Sequence, residues 1–463
     1  MIRTIITPIR CLTRNRLHEN FLSTTRGNRD MKNTSVKTRI STRALFLSAA
    51  FGAALLSGVS SASAETLTVW SGYPEMAPFY EHVAEGLKAA HPDLDVKVEA
   101  IALREHEKRV ALGLTGGQEG VTVIELSGST ATRYLENGLL PEAPDDVATF
   151  VNDPKNFDKF FTDIASYDGK VYGVPLFRGQ GSLFYNTDMF KAAGLTAPPK
   201  TMEEYTEYAK KLTQRDASGK PTVSGWSLRL SGGGQGIAEK FWTNMHQFGG
   251  AILVPAGDGK WKTGFANEAG RKALKQYLEN VFTNKTVTPE MPADADAFER
   301  GQTAMFIRES WVIGDIAQKA PDLKYATAPL PTGSIALPTN LYVAGDDADI
   351  GWEFAKATNS PENLVWLLQN VGWLPNRSGV DYSSVTSKQP AFAAFVDYPQ
   401  GYKFFTLPSI GPIEEILTRV AAQLVVAFGD ASMAADDAKI DAFLKKASDE
   451  VDTILDREGL LAK

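Results

Sequence analysis

The run Asp168 to Glu204, DGKVYGVPLFRGQGSLFYNTDMFKAAGLTAPPKTMEE, decides how this chain reads. Asp168-Gly169 lies between Ile-Ala-Ser-Tyr and Lys-Val-Tyr, the pattern of a two-residue hairpin turn. Val174-Pro175 leads into a glycine-broken segment, Arg178 to Gly181, and Leu183-Phe184-Tyr185 reads as a strand. Asn186 or Thr187 caps a short helix that Gly194 ends. Pro198-Pro199 stiffens the approach to Thr201-x-x-Glu204, a capping box that opens the next helix.

On the N-terminal side, Leu67-Thr68-Val69-Trp70 is a short apolar strand closed by the turn Ser71 to Pro74. Met76, Phe79, Tyr80, Val83 and Leu87 recur at helical spacing, so a helix is expected to about Ala90. Leu94, Val96 and Val98 alternate as a strand, a helix covers Glu105 to Leu114, and Val121 to Leu126 is a third apolar strand. Strand and helix alternating over about sixty residues make a parallel, doubly wound α/β unit. Ligands of such sheets bind beyond the C-terminal strand ends, which puts Ser71-Gly72-Tyr73 and Ser127 to Thr130 in one crevice.

On the other side, helices are expected at Glu203–Leu212, around Phe241-Trp242 to Phe248, at Asn267–Asn280 with Asn267 as cap, and at Asp294–Gly301. Tyr325 to Pro331 reads as the strand that returns across a hinge. Gly351–Lys356 and Pro361–Leu368 are helical. Ile440, Phe443, Leu444, Ala447, Val451, Ile454 and Leu455 form one apolar stripe on a terminal helix.

Residues Met31 to Ala64 read as a secretory signal, with Lys32, Lys37, Arg39 and Arg43 before an apolar core and Ala62-Ser63-Ala64 as cleavage site. Ten of the 48 Lys+Arg and two of the 55 Asp+Glu lie in the first 64 residues, leaving 38 and 53, a net charge of −15. That balance excludes nucleic acid and anionic membrane surfaces as natural partners, since both require basic patches. The single cysteine, Cys11, falls in the same leader, so the mature protein has neither a disulfide nor a lipid-bearing cysteine. A free monomer in the periplasm of a Gram-negative cell, without a membrane anchor, is the expectation.

The central run resembles the signature of the family 1 extracellular solute-binding proteins, the sugar-binding subunits of ABC importers. Asp168-Gly169-Lys170, Tyr172-Gly173, Pro175, Tyr185-Asn186, Asp188, Phe190, Gly194-Leu195, Pro198-Pro199, Thr201 and Glu204 match at matching spacing, with Met202 in place of the usual Trp. Further matches are RYLENGLL (Arg133 to Leu140), Phe298-x-x-Gly301-x-x-Ala304-Met305 followed by Trp311, and Gly372-x-x-Pro375-x-Arg377. The resemblance implies a two-lobed periplasmic binding protein of the maltodextrin-binding type, an α/β fold in which each lobe is a doubly wound sheet and is discontinuous in sequence. The expected lobes are 65–176 with 331–372 and 177–330 with 373–463, after a leader of 1–64. It also implies capture of a small carbohydrate by hinge closure and delivery to the membrane permease subunits of an ABC importer.

A sugar site needs aromatic planes for C–H faces and polar groups for every buried hydroxyl. Trp311, after the Ala-Met hallmark, is the stacking residue the resemblance implies. Tyr73 follows the first strand, and Ser127, Ser129 and Thr130 follow the third. Arg178 lies at one lobe crossing, with Trp373 and Arg377 at another. Glu75, Arg104, Trp242, His246, Arg308 and Glu309 complete the set. The glycine run Gly232 to Gly236 lacks the Lys-Ser/Thr of a phosphate loop, and His82, His91, His106 and His246 lack metal spacing. No cofactor is expected. An exported glycoside hydrolase competes, which needs two carboxylates about one bond. So does an acidic sugar, polyol or non-sugar solute on the same fold, the acidic sugar pairing Arg104, Arg178, Arg308 or Arg377.

Overall fold

A computed structural model describes residues 66–116, 121–231, 234–292, 295–345 and 348–463. The leader and its cleavage site lie outside the described residues.

The first lobe is built on β1 (Thr66–Ser71), α1 (Ala77–Leu87), β2 (Asp95–Ala100), α2 (Leu103–Gly116), β3 (Val121–Ser127) and α3 (Gly128–Glu136). β1 pairs in parallel with both β2 and β3. Leu67, Val69 and Val123 are buried on one face and Trp70 and Ile124 on the other, so β1 and β3 are covered on both faces as inner parallel strands require, while β2 at the edge has no buried residue. The hairpin at Asp168-Gly169 forms as its sequence dictates, with φ of 46° and 76° and Tyr167 opposite Lys170.

Strand β4 (Gly173–Gln180) runs unbroken through Arg178 and Gly179, where a glycine-broken crossing was expected. Its eight residues are all buried and it is paired on both sides, with one irregularity in register between Pro175 and Phe177. Gly181 then separates it from β5 (Ser182–Asn186). Asn186 accepts from Met189 N at 2.9 Å and Thr201 from Glu204 N at 3.2 Å, so both expected caps form.

The second lobe adds α4 (Gly236–His246), β6 (Met305–Arg308), α5 (Val312–Lys319) and β7 (Tyr325–Ala328). Its sheet, in the order β6–β5–β7, is antiparallel throughout. This sheet therefore lacks the parallel winding seen in the first lobe. β7 is an edge strand here, and the long return across the hinge is made instead by β8 (Gly333–Ala344). β8 lies between β4 and β3, antiparallel to both. β9 (Leu374–Pro375) pairs with β4, and β10 (Lys403–Phe405) pairs with the first residues of β8.

Two long helices close the chain, α6 (Ile413–Ala427) and α7 (Asp437–Arg457). Ile440, Leu444, Ala447, Val451, Ile454 and Leu455 of α7 are buried as the stripe demands. Each buried Ile, Leu or Val among them is worth about 1.5–3 kcal/mol. Among the described residues, no helix is long and apolar enough to cross a membrane.

Candidate functional site

A cavity of about 490 Å³ opens between the lobes. One wall is made by the C-terminal ends of β1 and β3, where a doubly wound sheet presents its ligand crevice. Tyr73 follows β1, and Glu125 to Ser127 end β3. Leu337 and Thr339 of β8 form the floor. The opposite wall comes from the second lobe, with Arg229, Gln235, Glu239, Leu407 and Ile413-Glu414. Three helices, α3, α4 and α6, begin at this cavity, so it is faced by the backbone N–H groups that a helix start leaves without intrahelical partners.

The start of α3 shows how sequence builds one edge. Ser127 accepts from Thr130 N at 3.2 Å and donates to Thr130 Oγ1 at 2.8 Å, with Ser129 Oγ 3.2 Å away. Three hydroxyls are thus gathered in one helical turn. Gly128 is needed because a Cβ there would lie 2.2 Å from Ile164 Cγ2 and 2.9 Å from Ile164 O. Ser127, Ser129 and Thr130 all line the cavity, as does Tyr73.

Tyr73 is held by aromatic packing. Its ring meets Trp373 edge-on at 5.2 Å and Phe177 at 5.5 Å. Trp373 Nε1 donates to Glu75 Oε1 at 3.3 Å. Trp373 and Glu75 therefore stand behind Tyr73, outside the cavity lining. Trp311 is half-buried beside them, packing against the cores of both lobes with the Arg308 guanidinium 5.2 Å over its ring. Arg308 NH1 donates to Glu309 Oε2 at 2.8 Å, and Lys240 Nζ to Glu309 Oε1 at 2.6 Å. Burial alone would raise the Glu309 carboxyl, but Arg308 and Lys240 overrule it and hold it at about 2.

Arg104 reaches the mouth of the cavity and donates to Glu107 at 2.8 Å, with Glu414 of the second lobe 4.0 Å away. Two acidic partners occupy it.

Four of the expected contacts lie away from the cavity. Arg178 pairs across the ladder with Pro338, while Leu337 and Thr339 on either side face the cavity. Side chains alternate along a strand, so Arg178 projects from the opposite face. There it donates to Gln180 Oε1 (3.0 Å), Tyr398 Oη (3.0 Å) and the Pro375 carbonyl. Arg377 lies on that same far side, donating to Asn156 Oδ1 at 3.1 Å and to the Asn359 carbonyl. Trp242 is 2 % exposed in the core of the second lobe, its ring stacked on Phe405 at 5.5 Å. Its neighbour His246 stacks on Phe405 at 4.4 Å, away from the cavity.

Glu107, Glu125, Arg229, Gln235, Glu239, Leu337, Thr339, Leu407, Ile413 and Glu414 line the cavity without having been singled out from sequence. Two carried a readable signal. Glu125 is a carboxylate inside the apolar run Val123-Ile124-Glu125-Leu126, a strand buried on both faces. Leu407 to Glu414 (LPSIGPIE) is a Pro/Gly-rich approach ending at a helix start.

Comparison with known proteins agrees with this architecture. The model of the family described as bacterial extracellular solute-binding protein matches residues 82–394. The chain belongs to that family. A binding protein of Brucella abortus (strain 2308) is 23% identical over 413 residues, covering 85% of this chain and 97% of that protein. The lactose-binding protein of Rhizobium radiobacter is 26% identical over 343 residues, 70% of this chain and 74% of its own. Among solved structures, the sugar-binding protein MalE of Xanthomonas citri superposes with a TM-score of 0.67 at 20% identity, over 85% of this chain and 98% of that one. The fold is the two-lobed α/β fold of these binding proteins.

Proposed function

We propose that the protein captures a sugar, from a monosaccharide to a small oligosaccharide, between its lobes and delivers it to the permease of an ABC importer. The observation that carries this is the inter-lobe cavity, whose first-lobe wall presents the hydroxyls of Ser127, Ser129 and Thr130 together with Tyr73. Hydroxyl donors and acceptors pair the rim of a sugar, and an aromatic edge covers its C–H face. Relatives of this chain carry the names of lactose-, arabinooligosaccharide- and maltodextrin-binding proteins, which supports the ligand class. Trp311, Trp373 and Glu75 join the site from behind Tyr73, and Arg308 sets the Trp311 ring.

In this reading the signal at 31–64 is removed on export to the periplasm of a Gram-negative cell, and the mature monomer works without chemistry. The lobes, 65–176 with 331–372 and 177–330 with 373–463, close by hinge rotation because the closed state contacts the ligand from both sides. The four arginines on which an acidic-sugar ligand would rest are turned away or held by carboxylates, Arg308 by Glu309. Arg178 and Arg377 sit on the far face, and Arg104 is occupied by Glu107 and Glu414.

The test is a thermal-shift screen of residues 65–463 against mono- and disaccharides, maltodextrins, uronic acids and polyols. A ligand at a hundredfold excess over its dissociation constant stabilises the folded protein by about 2.7 kcal/mol. A selective shift with neutral sugars is expected. Conversion of the sugar to products would overturn the non-enzymatic reading, and a shift with non-sugar solutes alone would overturn the ligand class.

A further inference from the structure

Glu125 borders the cavity, yet its side chain is 1 % exposed. Its Oε1 accepts from Ser71 Oγ at 3.0 Å and from Gly72 N at 3.1 Å, and the Tyr80 hydroxyl donates to Oε2. Ser71 Oγ in turn accepts from Tyr73 N at 3.1 Å. The carboxylate is therefore the anchor of residues 71–73, the turn that presents Tyr73 to the cavity. A Cβ at Gly72 would lie 2.9 Å from Leu103 Cδ1 and 3.1 Å from His106 Cδ2, so a larger residue there would have to displace those side chains.

The backbone of Glu125 is fixed from the other side. His106 Nδ1 lies 3.0 Å from an Arg109 guanidinium nitrogen, which can only donate. Nε2 therefore carries the proton and donates to the Glu125 carbonyl at 2.7 Å. The ionisable groups facing the carboxyl are Tyr73 and Glu75 beyond β1, Tyr80 on α1 and, from α2, His106 with Arg109 behind it. The groups that donate to it, Ser71 Oγ, Gly72 N and the Tyr80 hydroxyl, are all neutral.

We infer that Glu125 determines which sugars the cavity accepts, by taking a hydrogen bond from a ligand hydroxyl while it holds Tyr73 in place, and by rejecting a carboxylate at that position. The inference rests on the sugar-capture reading. A carboxylate has about four acceptor positions, and the protein fills three. A ligand hydroxyl that fills the fourth completes a buried polar group, whereas a ligand lacking it leaves that group short. A ligand carboxylate there would meet a buried like charge, with no cationic partner on Glu125 to offset it.

Burial holds the Glu125 carboxyl up at about 7, against the pull of Tyr80, Gly72 and Ser71. A hydroxyl donated by the ligand favours the ionised form, so capture expels a proton below that value and tightens as pH rises. His106, which burial keeps at about 4, stays neutral across the same range.

The experiment is calorimetric titration of the mature protein with lactose, maltotriose and galacturonate from pH 5.5 to 8.5, in wild type, Glu125→Gln and Tyr80→Phe. Neutral-sugar affinity is expected to rise with pH, by up to about tenfold per unit below 7, and to level off above it. Galacturonate is expected to bind at least tenfold more weakly. Glu125→Gln flattens the pH profile and narrows the galacturonate gap, and Tyr80→Phe moves the midpoint upward because one donor to the carboxylate is gone. A pH slope that survives Glu125→Gln, or equal affinity for galacturonate and neutral sugars, would overturn the inference. If none of the three probes binds wild type, the sugar-capture reading is what fails. Glu125 is then judged without ligand, by the fluorescence of Trp373, which Tyr73 touches. A pH transition near 7 that is absent in Glu125→Gln upholds its hold on Tyr73, and no transition in wild type overturns it.

Discussion

Lys240 Nζ lies 2.6 Å from Glu309 Oε1 with both side chains almost withdrawn from water, 11% and 12% exposed. Arg308 takes the other oxygen of the same carboxylate, and its guanidinium also covers the Trp311 ring. The trio therefore ties α4 to the segment that carries Trp311. Removing Lys240 leaves Glu309 buried with half its compensation. Lys240→Met is expected to destabilise the protein by about 3–5 kcal/mol in urea denaturation, the range for breaking a buried pair. The double variant Lys240→Met with Glu309→Gln should recover part of that loss, because the uncompensated charge is gone.

The same carboxylate gives a pH signature. Glu309 is depressed from 4.5 to about 2 in the folded protein, so its stabilisation is present above 4.5 and is lost as pH falls through 2. Roughly 3 kcal/mol is at stake at about 1.4 kcal/mol per unit. Glu125 acts in the opposite sense. Its carboxyl is raised to about 7, so its neutral form favours folding below 4.5, and that advantage fades as pH rises through 7. Thermal denaturation of Glu125→Gln should show a gain over wild type at pH 8 that vanishes at pH 4. An equal difference at both values would mean that Glu125 is not buried in its neutral form.

At Gly128 the constraint is steric. The approach of 2.2 Å between a built Cβ and Ile164 Cγ2 leaves no room, and the Ile164 carbonyl at 2.9 Å blocks retreat. Gly128→Ala should cost about 1–3 kcal/mol. Ser127→Ala, one residue earlier, should cost about 1 kcal/mol through loss of the cap. It should also weaken ligand capture, because the hydroxyl it removes faces the cavity. Comparing the two by thermal shift with and without ligand separates packing from recognition. An affinity loss in Gly128→Ala as large as in Ser127→Ala would erase that distinction.

What could be read from the chain was what is encoded locally. Asn186, Thr201 and Asn267 each accept from a backbone N–H three residues ahead, so neighbours in sequence suffice to place them. The turn at Asp168-Gly169 is equally local. Tyr73 and Ser127 to Thr130 were accessible because a doubly wound sheet fixes where its strand ends point. Arg178 was misplaced because the side of a strand that faces the cleft depends on register against β8, which local pattern does not reveal. Trp242 is different. Ile237, Ala238, Phe241, Trp242 and Met245 trace one buried helical face, and that periodicity marked it as core. The wall from Leu407 to Glu414 reaches the cavity only through the packing of α6 against α4, a relationship between segments more than 150 residues apart in sequence.

Arg104 and Glu414 supply the last prediction, because they approach across the mouth of the cavity from different lobes. Their 4.0 Å separation, with side chains 56% and 48% exposed, places them in water. An exposed pair contributes about 0–1 kcal/mol and is screened by salt. Glu414→Gln is therefore expected to change ligand affinity by less than about fivefold. Any change should come from a closed state that is less favoured over the open one, and should fade between low salt and 0.5 M sodium chloride. Arg104 retains Glu107 at 2.8 Å in that variant, so it gains no freedom to bind an acidic ligand. Glu107→Gln with Glu414→Gln releases it from both carboxylates. Measurable galacturonate binding in the double variant, absent in wild type and in either single variant, would locate the exclusion of acidic sugars at the mouth and not at Glu125.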